Sequence, residues 1–169
     1  MIISVIGAAS CDKETYRIAE EIGKLIAQKG ATLITGGLGG VMEAASRGAK
    51  GSGGITVGIL PGFSKEEANK FVDIPITTGL SHARNIIVAG SADAVIAISG
   101  EYGTLSEIAI ALKLGKPVIG IRTWDNIGGV INVHSPEEAV NKVFELIVNQ
   151  KTLGRGAGPP FKQGGDTVG

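Results

Sequence analysis

Largely apolar runs of strand length, each closed by a glycine or proline turn, constrain this chain more than any other feature. Ile2 to Ala9, Ala31 to Thr35, Ile55 to Leu60, Ala94 to Ile98 and Pro117 to Ile121 follow the pattern. A strand with one wet face alternates apolar and polar residues, whereas a strand covered on both faces reads as a continuous apolar run, as in parallel sheets. Helical stripes fall between the runs. Ser10 or Asp12 caps a first helix carrying Ile18, Ala19, Ile22, Leu25 and Ile26, with Gly30 as its stop. A second spans about Val41 to Lys50, and a third Ser81 to Gly90. A fourth follows the run at Ala94, with Leu105, Ile108, Ala109 and Leu112 on one face and Gly115 and Pro117 as its stop. Ser135-Pro136-Glu137-Glu138 opens a last helix with Val140, Val143, Phe144 and Ile147 inward. Asp73 to Thr77 predicts a short strand that Pro75 confines to the sheet edge, and Val130 to Val133 a final strand. Ser64 to Lys70 reads as a short helix or a lid. Strands and helices alternating in this way predict an α/β fold, a doubly wound sheet of mainly parallel strands flanked by helices.

The 169 residues suffice for one well-cored domain, expected over 1–150. From Lys151 the composition turns to Gly, Pro and polar residues, so 151–169 is expected to be a disordered tail. With 16 acidic and 16 basic residues the formal charge is zero, which argues against general nucleic-acid binding. One cysteine, Cys11, leaves no intramolecular disulfide framework and no multi-cysteine metal site, and it reads as a small buried residue. No metal-ligand spacing is evident. No run reaches transmembrane length, and residues 1–9 enter a strand pattern directly, so the expectation is a soluble cytoplasmic protein without a membrane partner.

In doubly wound sheets ligands bind beyond the carboxyl ends of the strands. Two turns therefore draw interest. After Ala94–Ile98 the chain turns through Ser99, Gly100, Glu101, Tyr102 and Gly103 into a helix, aiming unpaired amides and a helix dipole at one point and so forming an anion site. The second turn is Gly36-Gly37-Leu38-Gly39-Gly40, which lacks the spacing and the later acidic residue of a dinucleotide fingerprint. It is either a tight turn with close helix packing or, with Met42 and Glu43 beside it, a set of backbone donors for a phosphate. Thr104-x-x-Glu107 has two readings also, a capping box or a functional carboxylate. Arg84 and His82 read as polar helix residues, and Trp124 as a packing residue or a platform for a planar ring.

Four stretches in order, Gly36 to Ala45, Gly58-Ile59-Leu60-Pro61-Gly62, Ser81-His82-Ala83-Arg84-Asn85 and Gly103-Thr104-Leu105-Ser106-Glu107, resemble the Lonely Guy phosphoribohydrolase superfamily, once mislabelled as possible lysine decarboxylases. The resemblance covers about residues 1–150 and is nearer to its short branch, which includes molybdenum cofactor carrier proteins. It implies a Rossmann-like fold, a homodimer or homotetramer and a pocket for a phosphorylated small-molecule ligand. It implies further that Gly100, Gly103 and Thr104 cradle a phosphate, with Gly36, Gly37, Gly39, Gly40 and Met42 near the ligand. In a hydrolase, Glu107 and Arg84 would be catalytic, the carboxylate stabilising oxocarbenium charge on a ribose as the N-glycosidic bond breaks. The hydrolase motif Pro-Gly-Gly is here Ser99-Gly100-Glu101, and Met-His-x-Arg-Lys is here Ser81-His82-Ala83-Arg84-Asn85. Both departures turn the expectation from turnover toward carrier-type binding of a phosphorylated nucleotide or pterin, with no required cofactor and molybdenum cofactor as a candidate cargo. A single-strand DNA-binding module, as in the more distantly similar DNA-processing family, is a third reading.

Overall fold

The computed structural model describes residues 1–152. Their strands are β1 (Ile2–Gly7), β2 (Thr32–Thr35), β3 (Thr56–Leu60), β4 (Ile74–Thr77), β5 (Ala94–Ile98), β6 (Val118–Ile121) and β7 (Val130–Asn132). Their helices are α1 (Lys13–Gln28), α2 (Val41–Gly51), α3 (Asn85–Gly90), α4 (Tyr102–Lys113) and α5 (Pro136–Thr152). The strands form one sheet in the order β4-β3-β2-β1-β5-β6-β7, and every neighbouring pair is parallel. This is the doubly wound, Rossmann-like arrangement that the apolar runs predict, with Pro75 on the edge strand β4 as its missing amide requires. Among the described residues no helix is long and apolar enough to cross a membrane.

The sheet divides two apolar layers. Ile3, Val5, Leu33, Ile96, Ile98, Ile119 and Ile121 pack against α1, α2 and α5. Ile6, Ile34, Ile59, Val95, Ala97 and Val118 pack on the other face against Val88 and Ala89 of α3 and Ile108 and Ala111 of α4. Asp12 caps α1 by accepting from the Thr15 amide at 2.7 Å, which settles the choice between Ser10 and Asp12. At the start of α5, Ser135 Oγ accepts from Glu138 N and Glu138 accepts in return from His134 N. That helix continues through Thr152, past the expected boundary at 150, while the expected disorder over 153–169 lies outside the described residues.

Two expectations need correction. The third helix is in fact two pieces, a 3-10 turn over Ser81–Arg84 followed by α3. On α4 the buried residues are Thr104, Glu107, Ile108 and Ala111, whereas Ala109 faces out and Leu105 and Leu112 are half-buried. Residues 104, 107, 108 and 111 hold helical i, i+3, i+4, i+7 spacing, so the inward stripe exists but its first half is polar. That half is turned toward the strand ends instead of the core.

Candidate functional site

The strand order reverses between the parallel neighbours β1 and β5, the chain going on from β1 to β2 on one side and from β5 to β6 on the other. Connections on either side of such a switch point diverge and leave a crevice. Here the crevice is a cavity of about 390 Å³. Its wall is built from the turn after β1, the loop into α2, the 3-10 turn before α3, and the start of α4.

Of the residues singled out from sequence, the cavity brings together Met42, Arg84, Gly103, Thr104 and Glu107. Gly36, Gly37, Gly39, Gly40 and Gly100 stand behind this wall and give the packing that shapes it. A Cβ on Gly36 would lie 2.5 Å from both terminal guanidinium nitrogens of Arg84 and 2.6 Å from Met42 Sδ. Gly40 adopts φ 60° and ψ −125° at the entry to α2, a region closed to residues with a side chain. There Val41 N donates to Ala8 O at 3.0 Å, so part of the α2 terminus is already satisfied. Asn69, within the segment expected to be a helix or lid, donates through Nδ2 to the carbonyls of Gly37 and Leu38 and pins the glycine turn from below.

The α4 terminus differs. Glu101 occupies the N-cap position with no cap hydrogen bond to its side chain, and the first amide taken up is Leu105 N, which donates to the Glu101 carbonyl at 3.0 Å. The amides of Tyr102, Gly103 and Thr104 have no acceptor among the described residues. Ser99 holds this turn open at φ 51°, in the left-handed region, and is fixed by bonds between Ser99 N and Ile121 O and from Thr123 Oγ1 to Ser99 O. Such strain costs of order 1–3 kcal/mol. One fully buried isoleucine contributes about 1.5–3 kcal/mol, so Ile96 and Ile98 of β5 outweigh it. Asn85 ties the turn to α3 by donating to Ser106 Oγ at 3.1 Å, and that hydroxyl donates to Gly103 O at 2.6 Å.

Thr104 and Glu107 do not form a capping box. Helix α4 begins two residues before Thr104, and Glu107 pairs instead with Arg84, Nη1 to Oε1 3.5 Å. The Arg84 side chain is 10% exposed and that of Glu107 8%. At 3.5 Å the contact is longer than a charge-assisted hydrogen bond, and desolvation outweighs the pairing on both partners. Burial pushes the Glu107 carboxyl up to about 7 from 4.5, with Arg84 opposing the shift. Burial likewise lowers the Arg84 guanidinium, with Glu107 opposing. Arg84 Nε has no hydrogen-bond partner among the described residues.

Of the other wall residues, Gly7 to Ser10 lie outside the four sequence motifs, whereas Leu38, His82 and Asn85 lie within them without being candidate site residues. The first is within reach of sequence reasoning, because a switch point next to β1 places the turn after β1 in the crevice. His82 and Asn85 belong to no periodic pattern. Trp124 lies off the wall, its ring 5.7 Å from that of Tyr102.

Residues 1–150 match the family model described as SLOG cluster4. The chain belongs to the SLOG cluster4 family. This agrees with the Lonely Guy resemblance carried by its four motifs. An uncharacterized protein of Archaeoglobus fulgidus is 56% identical over 141 residues, 83% of this chain and 93% of its own. A cytokinin riboside 5′-monophosphate phosphoribohydrolase of Mycobacterium tuberculosis is 34% identical, over 76% of this chain and 74% of its own. Among solved structures, a molybdenum cofactor binding protein of Rippkaea orientalis superposes with a TM-score of 0.82 at 40% identity, over 86% of this chain and 96% of its own.

Proposed function

We propose that this protein is a carrier-type binding protein for a phosphorylated nucleotide-like or pterin ligand, with molybdenum cofactor as the leading cargo. The observation that carries this reading is the open terminus of α4, where Gly103 and the buried Thr104, both with unpaired amides, line a cavity of ligand size. Gly103 and Thr104 would hold the phosphate, and Met42 and Leu38 offer apolar surface to a ring. The similarity to a molybdenum cofactor binding protein at 40% identity supports the same reading. Native mass spectrometry of gently purified protein, followed by identification of the released small molecules, tests it. A pterin or intact nucleotide is the expected result; the absence of any copurifying ligand together with no binding of added nucleotide by calorimetry would sink the idea. The homodimer or homotetramer implied by the family resemblance belongs to the proposal, and light scattering checks it.

A second reading has its own observation. Arg84 and Glu107, the two residues a phosphoribohydrolase would use, meet on one wall of the cavity, and a relative at 34% identity carries that name. In this case Glu107 would stabilise the charge developing on the ribose as a water adds and the base departs, leaving ribose 5-phosphate. Free adenine would then accumulate from AMP, would rise with pH through about 7 as Glu107 ionises, and would vanish in Glu107→Ala. An AMP incubation with no adenine above the Glu107→Ala background leaves the carrier reading alone.

A further inference from the structure

Asn85, the first residue of α3, is buried and lines the cavity, but its amide nitrogen is committed to the start of α4. Asn85 Nδ2 donates to Ser106 Oγ at 3.1 Å and lies 3.5 Å from Gly103 O, and Ser106 Oγ donates to Gly103 O at 2.6 Å. The neighbours decide which way the amide faces. A carbonyl only accepts, and the Ser106 hydroxyl has given its hydrogen to Gly103, so both offer lone pairs and require the nitrogen. A hydrogen-bond chain thus crosses from α3 and converges on one carbonyl of α4. That carbonyl shares its peptide unit with the Thr104 amide. Thr104 lines the cavity, and its amide has no acceptor among the described residues.

Resting on the reading of the cavity as a phosphate site, we infer that Asn85 is a positioning residue for the phosphate: acting through Ser106, it holds and polarises the Gly103–Thr104 peptide so that the Thr104 amide is aimed and strengthened as a donor. In a planar trans peptide the N–H points opposite to the C=O, so holding the oxygen aims the hydrogen. Hydrogen bonds accepted by the carbonyl also draw charge out of the N–H and make it a better donor. The device belongs at a helix start, because the first amides have no carbonyl of a preceding turn to hold them. Its effect is confined to the phosphate end of a ligand and leaves the ring end, at Leu38 and Met42, as it is.

The test uses AMP and the full chain, with dissociation constants from calorimetry and the response of individual amides from NMR spectra. In the wild-type chain, saturating AMP is expected to move the Thr104 amide proton downfield. Asn85→Ala and Ser106→Ala are each expected to weaken AMP binding about fivefold, the worth of one hydrogen bond. Both are expected to shrink the Thr104 response while the Leu38 and Met42 amides respond as in wild type. The double variant is expected to lose no more than either single one, since both changes break one chain. Equal loss of response at the two ends, additive losses in the double variant, or unchanged AMP affinity would overturn the positioning role while leaving the cavity a nucleotide site. If Asn85→Ala does not fold, Ser106→Ala decides by the same two readouts, because Ser106 is exposed. A wild-type chain that binds no AMP, or binds it without moving Thr104, is a different failure: the phosphate reading itself falls, and the role of Asn85 with it.

Discussion

Glu107 and Arg84 show how far burial, and not sequence spacing, sets the chemistry of a residue. The carboxyl is raised because the loss of water around it outweighs what a cation at 3.5 Å restores. A carboxyl raised in the folded state binds more protons there than in the unfolded chain between 4.5 and about 7. Its contribution to stability is therefore largest below that window and declines as pH rises through it. The whole shift corresponds to roughly 3 kcal/mol at most. Chemical denaturation of the wild-type chain across this pH range is expected to show that downward slope, and Glu107→Gln is expected to remove it. The absolute stability of the variant falls as well, since Arg84 keeps its charge in a buried place without an anion. The slope is thus the readout, and an equal slope in both proteins would show that Glu107 does not titrate there. A second residue-scale expectation concerns Gly36. The atoms a Cβ would meet are the ends of the Arg84 and Met42 side chains, which can swing away. Gly36→Ala is expected to fold, with a melting temperature within a few degrees of wild type, while moving the guanidinium and weakening AMP binding severalfold by calorimetry. Unchanged affinity would mean that Arg84 position is irrelevant to the ligand.

At the scale of elements, the tightest joint is the crossing of α1 and α2, well away from the cavity. Gly23 lies over the Ala45 carbonyl and Gly48 over the Glu20 carbonyl, each so close that a Cβ would overlap the oxygen. Backbone carbonyls within helices cannot rotate aside. Gly48→Ala is accordingly expected to cost about 3 kcal/mol or more, at the upper end of overpacking effects, and to lower the melting temperature by roughly 10 °C. A loss of under about 1 kcal/mol in urea titration would show the helices free to separate. What can be read from sequence follows the same division between backbone and context. Strand runs such as Ala94–Ile98 are legible because two-sided burial removes polar residues, and the α1 stripe because one-sided burial leaves a period. The inward face of α4 is harder to read for a physical reason: its leading positions, Thr104 and Glu107, are polar because they face the cavity, and an apolar template passes over them. The glycine turn from Gly36 to Gly40 stands out in the sequence, but composition does not say whether a missing side chain makes room for a ligand or for Arg84. The Arg84–Glu107 pair joins two separate motifs through a 3-10 turn that no propensity signals, so the family resemblance, and not residue spacing, is what implies from sequence that they share a site.

For the whole molecule, the reversal of the sheet decides where a ligand can be held. Seven parallel strands place all their carboxyl ends on one side, but only the β1–β5 junction separates connections running to opposite layers. Ligand free energy is therefore delivered to four short segments, the turn after β1 at 7–10, the loop at 38–42, the 3-10 turn at 82–85 and the start of α4 at 101–107. The polar groove between α1 and α2 differs in kind. Its cations are largely taken, Lys24 by Glu21 and Arg47 by Glu20, and its floor is the close helix crossing. A ligand that binds only the folded chain stabilises it by about 2.7 kcal/mol at a hundred times its dissociation constant. Local opening in the segments it touches is suppressed by a comparable amount, while distant fraying is not. Hydrogen exchange with and without saturating AMP is expected to slow amides in those four segments, most of all Gly103 and Thr104. The edge strand β4 and the α1–α2 groove are expected to exchange at their unliganded rates. Protection centred on residues 17–24 and 47–52 would move the binding site to the groove and leave the open amides of α4 without a functional meaning.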